Sequence, residues 1–512
     1  MTPVRALNHA PRRRKHFPVL KVVLIVAGVA PAFVALGDTS EIPGLTRALA
    51  VFTWFLSTLP ALYYLGRKHS KRRPLPFIET ISFIYGLYYA LPIALNETNR
   101  AWRITVDPHD GYDVPMQLVF FGWFAMMGAY VIATSIVKKR TPPREIPWRP
   151  ASVTKWATAF LLGGVAVNGL RTFLGGGAGV GGVIQLFVSL QWLGLGLLVV
   201  LSRRGELSSS GRTVLIVGFV GAVAVAVSQG NVSPIVLLCV VAGFALWAGR
   251  PVIETRWIVA GVVAILFAVS MRGVIRDFRL TAWFGTEQFS QMQRVQLMGR
   301  LLQTRIENEG LVATLAGGGA QTAQRSANMD VFADVVRRTP SEVPYWKGQT
   351  YLSLVGAAVP RFMWPDKPTK ELGQAFGHRY RYLDPSNKST AINLPITVEF
   401  YVNFGSLAVI LGMLLVGALY GILDNLLNRP GQSLMLSMIA LTLLLPLLLI
   451  ESDFSLVFGG LPLSGLALWG IYNAMWRSAV GKRDRRTPVH ARATRIPNDS
   501  VGTDRRPALP AG

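Results

Sequence analysis

Apolar residues in this chain come in long unbroken runs rather than short alternating segments. Runs near 19–37, 48–66, 77–95, 116–137, 153–174, 183–202, 213–229, 232–249, 256–276, 406–425, 433–450 and 456–476 are each long enough, as helices, to cross a hydrocarbon core about 30 Å thick. The pattern predicts an all-α, polytopic integral membrane protein with about twelve transmembrane helices. Between the ninth and tenth runs the pattern stops, and residues 277–405 form one large loop. Within it, TEQFSQMQRVQLMGRLLQTRI (286–306) places Phe289, Met292, Met298, Leu302 and Ile306 near helical spacing, as an amphipathic helix requires. NMDVFADVVRR (328–338) predicts a second helix. TYLSLVGAAVP (350–360) is apolar but too short to span, so it packs beneath the loop or re-enters the membrane. The expected organisation is a membrane bundle over 1–276, the loop over 277–405, a three-span bundle over 406–476, and a disordered basic tail over 477–512.

Composition agrees with a membrane protein: 51% of the 512 residues are hydrophobic and 15% charged, against about 25% charged in soluble domains. Charge then sets orientation. RRRK (12–15), RKHSKRR (67–73), KKRTPPR (138–144), SRRG (202–205) and KRDRR (482–486) fall on one side if every run crosses. Basic loops mark the cytoplasm, which places both termini there and the large loop outside the plasma (inner) membrane. The net charge of +25 therefore reads as a topology signal, and no nucleic-acid partner is expected. The first run is long for a signal peptide and reads as an anchor that stays. The lone Cys239 forms no intrachain disulfide, and no Cys or His cluster suggests a metal or another cofactor.

One stretch of the loop departs from its greasy surroundings. PRFMWPDKPTKELGQAFGHRYRY (360–382) interleaves Arg361, Lys367, His378 and Arg379 with Trp364 and Tyr380. Arginine's planar fork matches phosphate oxygens, and aromatic rings stack on sugar faces at a membrane interface. That combination suits a lipid-linked pyrophosphate sugar. Arg361, Arg276 and Arg272 are the candidates to hold the pyrophosphate, with Lys367 and Arg379 as further cations and Trp364 and Tyr380 against sugar. Proline flanks Arg361 and restricts it. An acceptor hydroxyl needs a base: His378, the one histidine of the loop, or Glu399 at the mouth of the tenth run. Each has a plainer role, a surface histidine or a helix anchor. His109, Glu451 and Asp453 are lesser candidates, and Asp38 and Glu41 offer a rival acidic pair in the first outer loop.

PRFMWPDKP (360–368), then STAINLPITVEFYVNFG (389–405), then a span opening SLAVILGMLLVGALYG (406–421), resembles the O-antigen polysaccharide polymerases, the Wzy-type oligosaccharide repeat-unit polymerases. The match rests on Pro360, Arg361, Trp364, Pro365, Lys367 and Pro368, and on Glu399, Tyr401, Asn403, Phe404 and Gly405. The resemblance implies a metal-independent glycosyltransferase. It would move a growing glycan from undecaprenyl pyrophosphate to the next lipid-linked repeat unit, beside a repeat-unit flippase and a chain-length regulator. Some of these proteins carry R-x10-G in outer loops, which Arg171 to Gly182 and Arg337 to Gly348 both fit, making Arg171 a further substrate-binding candidate. The alternatives are an O-antigen ligase, another glycosyltransferase acting on lipid-linked sugars, and a transporter of lipid-linked glycan.

Overall fold

The computed structural model describes residues 18–37, 41–67, 72–96, 104, 106–137, 148–173, 181–230, 233–249, 273–275, 277, 278, 281, 289–310, 313, 328–358, 364, 372–387 and 391–480. Every regular element among them is helical. In chain order these are α1 (Pro18–Gly37), α2 (Gly44–Gly66), α3 (Phe77–Ala94), α4 (Asp113–Ile136), α5 (Pro150–Phe173), α6 (Gly181–Arg204), α7 (Ser209–Ser228) and α8 (Ser233–Gly249). The loop contributes α9 (Gln291–Glu309), α10 (Asn328–Arg338), α11 (Leu352–Ala358), α12 (Leu372–Arg379) and α13 (Ile396–Phe404). Then follow α14 (Ser406–Leu427), α15 (Leu434–Leu448), α16 (Phe454–Phe458) and α17 (Leu461–Val480).

Eleven of the twelve expected spans coincide with helices, and the ninth, 256–276, lies almost wholly outside the described residues. Eight helical segments among the described residues are long and apolar enough to cross a membrane, the last running through α16 and α17. The protein is thus a polytopic membrane protein. Helices α8 and α15 are apolar but shorter, and α5 is less apolar than the eight.

Local chemistry explains several boundaries. Ser208 and Ser433 cap α7 and α15 by accepting from the backbone N–H of Gly211 and Leu436, which satisfies orphan donors of the first turn. Ser290 and Gln293 form a reciprocal capping box at the start of α9. Its Leu297 and Met298 bury against Val274, Ile275 and Phe278, with Phe289 and Leu302 packed beside them, so part of the amphipathic face expected in the loop finds a protein partner, while Met292 of that face is 68% exposed. A π-helical turn, Gly86–Ala90, interrupts α3 where it crosses α2, and a Cβ on Gly86 would overlap the Ser57 side chain.

Helix α14, from the C-terminal part, packs along the length of α4 from the N-terminal part. Small residues make this possible: a Cβ on Gly417 would overlap the Met126 carbonyl, and one on Gly421 would lie 2.8 Å from the Tyr130 carbonyl. Close backbone approach of this kind is how membrane helices gain dispersion contacts. Gly417→Val should lower stability by about 1–3 kcal/mol, the usual cost of overpacking, and shift the midpoint of thermal unfolding in detergent. A normal midpoint would mean that the helices separate without loss. The loop helices α10 and α13 share the same continuous core, through Phe332, Val335, Val398 and Val402. The segment 350–360, expected beneath the loop, supplies α11, which packs on α16.

Two polar clusters mark opposite ends of α4. At one end the Tyr112 hydroxyl donates to Asp330 Oδ1 of α10 at 2.9 Å. At the other, Tyr130 donates to Asp424 Oδ2 at 2.6 Å, and Arg73 pairs with the same oxygen at 2.8 Å. The two tyrosines are roughly 27 Å apart along the helix at 1.5 Å per residue. Asp330 of the loop helix α10 and Arg73 therefore sit at opposite ends of α4.

Candidate functional site

Pro395 begins α13, and every residue from Ile396 to Asn403 is buried. The helix stops at Gly405, whose φ of +79° is a conformation open to glycine, with the Tyr345 hydroxyl pressed where a side chain would stand. The chain then turns directly into α14. Each residue of the EFYVNFG element (399–405) has a distinct place. Tyr401 sets its ring edge-on to Phe332 at 5.8 Å. Asn403 Nδ2 donates to Thr350 Oγ1 and to the Glu399 carbonyl, both at 2.8 Å, while its Oδ1 accepts from Gly348 N–H at 2.8 Å. Phe404 is 57% exposed.

Glu399 is fully buried. Its Oε2 accepts from the Phe454 backbone N–H at 2.6 Å. Its Oε1 makes no hydrogen bond. Burial raises the carboxyl pKa to about 7; the Phe454 N–H and the nearby Thr350 hydroxyl hold it down, and Asp453 pushes it up. Asp453 itself caps α16 through the Leu456 N–H at 2.9 Å. Ser353 donates to Ser455 at 2.6 Å and ties α11 to α16 beside this site. The Tyr351 phenol, next to the Asn403 amide, is pushed above its usual range by burial and by Glu399. A half-neutral carboxyl with one oxygen unengaged can take a proton from a hydroxyl near pH 7.

Next to Glu399 runs an apolar groove of about 520 Å³. Tyr351, Leu354, Phe400, Phe404, Ala408 and Phe454 are among its walls, and it continues down α14 to Leu415.

The other candidates gather elsewhere. His378 closes the last turn of α12, half-buried. Close by, Asp384 is held below the usual carboxylate range by hydrogen bonds from Ser386, with His378 adding to the effect. Arg379 donates from Nη2 to the Pro344 carbonyl at 2.6 Å and lies over the Trp346 ring at 5.0 Å. Tyr380, expected to stack on a sugar, is 1% exposed. Its hydroxyl pairs with Thr339 at 2.5 Å, and its ring packs on Phe376 and Tyr382. No ring face is left for a ligand, because the tyrosine completes the core beneath α12. Below it, Asp334 binds Arg338 at 3.3 Å and the Tyr382 hydroxyl at 2.8 Å. Arg337 engages Asp334 and Glu342. Trp364 is 39% exposed, and Arg171 is exposed at the end of α5. Arg361, Lys367, Arg272 and Arg276 lie outside the described residues, as does Asp38. Sequence reasoning missed Thr350, Tyr351 and the Phe454 N–H as neighbours of Glu399. The only local signal for them was the apolar stretch that became α11.

No curated protein and no solved structure matches the chain. A family model described as a domain of unknown function (DUF8712) matches residues 180–439, from α6 into α15 and including Glu399. Since that match covers just over half of the sequence, the chain belongs to the DUF8712 family.

Proposed function

We propose that this protein is a metal-independent membrane glycosyltransferase. It polymerises lipid-linked repeat units at the outer face of the plasma membrane, with undecaprenyl pyrophosphate as the carrier. The observation that carries the reading is Glu399: a buried carboxyl with a pKa near 7 and a free oxygen, set where the loop core meets a membrane helix, beside an apolar groove. In the proposed step Glu399 takes the proton of an acceptor sugar hydroxyl. The oxygen forms a bond to the anomeric carbon of the donor glycan, the bond from that carbon to pyrophosphate breaks, and the lipid pyrophosphate departs with the electron pair. Fixed positive charge stabilises that leaving group, and Arg361, by its resemblance to the polymerase element, is the residue assigned to it. His378, on a different helix from Glu399, takes the role of a sugar contact or second acid–base group.

Arg361→Lys should lose most activity, because a point charge does not replace a bidentate fork. Wild-type polymer levels in that variant would remove Arg361 from the mechanism. The reading as a whole is tested by the length distribution of lipid-linked glycan in cells lacking the protein. Single repeats should accumulate and long chains vanish. Long chains retained on the carrier would identify a ligase instead, and single repeats trapped on the cytoplasmic face would identify a transporter.

A further inference from the structure

Two carboxylates share the first turn of α16. Asp453 caps the helix, its backbone extended at φ −70° and ψ 159°, with Oδ1 accepting from the Leu456 N–H at 2.9 Å. The N–H of Phe454, the first helical residue, has no acceptor within the helix. Glu399 Oε2 takes it from α13 at 2.6 Å. The peptide that carries this N–H joins Asp453 to Phe454. Its orientation is set by the capping residue, which holds the chain extended where the helix begins. A third bond pins the same turn, where Ser353 of α11 donates to Ser455 at 2.6 Å.

The consequence falls on Glu399. With Oε2 held, the buried Oε1, which makes no hydrogen bond, is the oxygen left to take a proton. Two carboxylates on one helical turn also repel, which disfavours the charged form of the one cut off from water. Glu399 is fully buried, whereas Asp453 is half-buried. The remaining polar groups around the carboxyl are uncharged: the Thr350 hydroxyl, the Tyr351 phenol and the Asn403 amide. From α3, Tyr85 and Tyr89 lie against Thr397 instead, with Glu451 near Tyr89. Helix α10 meets α13 through Phe332 and Tyr401, and its acids turn elsewhere, Asp330 to Tyr112 and Asp334 to Arg338.

We infer that Asp453 is a positioning residue for Glu399: its cap aims the Phe454 N–H at Oε2 and reserves Oε1 for the proton. The inference rests on the reading of Glu399 as the base of a glycosyl transfer and adds the group that holds that base in register. Asp453 itself need touch no sugar. Its charge has a second effect, since a carboxylate on the same turn keeps Glu399 protonated to a higher pH than burial alone would.

The test separates cap from charge. Asparagine caps a helix about as well as aspartate and carries no charge, while alanine supplies neither. Full-length protein in detergent is followed by infrared difference spectroscopy, and the protonated-acid carbonyl band missing from Glu399→Gln belongs to Glu399. In the parent that band should titrate at about pH 7, together with the transfer rate. In Asp453→Asn both midpoints should fall together by at least about half a pH unit, with the maximal rate within about twofold of the parent. Asp453→Ala should lose about tenfold in maximal rate and should move the band itself, because the N–H no longer meets Oε2 squarely. Glu309→Gln, which removes an exposed carboxylate from α9, should change neither midpoint. Three results overturn the proposal. If Asp453→Ala matches the parent in rate, band and midpoint, the cap does not position Glu399. If Asp453→Asn loses transfer as fully as alanine while the band still titrates as in the parent, Asp453 acts on the substrate itself. If Asp453→Asn leaves both midpoints where they were, the two carboxyls are not coupled, and this arm decides even where the alanine variant fails to fold. Failure of the glycosyltransferase reading is separable: normal polymer in cells lacking the protein would remove that reading, while a lowered infrared midpoint in Asp453→Asn would leave the coupling of Asp453 to Glu399 standing.

Discussion

Glu399→Gln is expected to reduce polymer formation by about 10²–10⁴-fold, the usual share of a positioned base, and at the same time to make the folded protein more stable at pH 8. The two effects have one cause. Burial raises the carboxyl from its ordinary value of 4.5 to about 7. A group whose folded pKa is raised contributes stability below its unfolded pKa and loses it as pH rises through the folded one. Between about pH 4.5 and 7 the unfolded state ionises this carboxyl while the native state holds it protonated, so stability falls by about 3 kcal/mol before levelling off once both states are charged. Glutamine has nearly the shape of the protonated acid, can still accept from the Phe454 N–H, and is never ionised. The thermal midpoint of the variant minus that of the parent should therefore grow from pH 5 to pH 8. The parent's transfer rate should climb with pH through about 7 and then level off, because only the ionised form accepts a proton. A glutamate that only anchors α13 would show the same pH trend in the midpoint, since burial alone causes it, but activity would then change only with the amount of folded protein. A pH-independent midpoint difference would mean that the carboxyl is not strained by burial.

Asp424→Ala should be among the most destabilising substitutions in the molecule. Asp424 is 1% exposed and accepts from Tyr130 at 2.6 Å, from Asn428 Nδ2 at 2.8 Å, and from Arg73 at 2.8 Å. Asn428 in turn donates to the Leu75 carbonyl at 2.7 Å, and Arg73 Nη2 donates to Asn425 at 2.7 Å. One carboxylate therefore clasps the segment before α3, the end of α4 and the end of α14. Removing it leaves Arg73 half-enclosed and unneutralised, which costs about 3–5 kcal/mol for a buried pair broken on one side. Replacing both partners, Arg73→Met with Asp424→Leu, should recover much of that loss, since a well-packed apolar pair is often no worse than a buried ion pair. Thermal unfolding in detergent, followed by size-exclusion chromatography, reads both. If the single variant melts as the parent does, the clasp is ornamental to stability.

The membrane helices were legible in the sequence because the signal is local: a run of apolar residues spans or does not, whatever the rest of the chain does. Glu399 was visible as a lone acid at the mouth of a greasy span. Its environment was not, because the partner that holds it, the Phe454 N–H, is 55 residues away. Tyr380 shows the limit from the other side. A segment that alternates arginine, tyrosine and histidine reads as a surface, and nothing in its spacing says that Tyr380 turns inward onto Phe376 and Thr339.

Long-range pairing was decided only by the tertiary structure. Arg73 and Asn425 are 352 residues apart yet bonded, and α14 from the C-terminal part lies against α4 from the N-terminal part. The sequence alone determined a many-helix membrane protein, because hydrophobic run length acts residue by residue. Which carboxyl is buried, which aromatic faces a groove and which glycine admits a neighbour depend on side chains brought together across hundreds of residues, and close packing settles those only when the whole chain is in place.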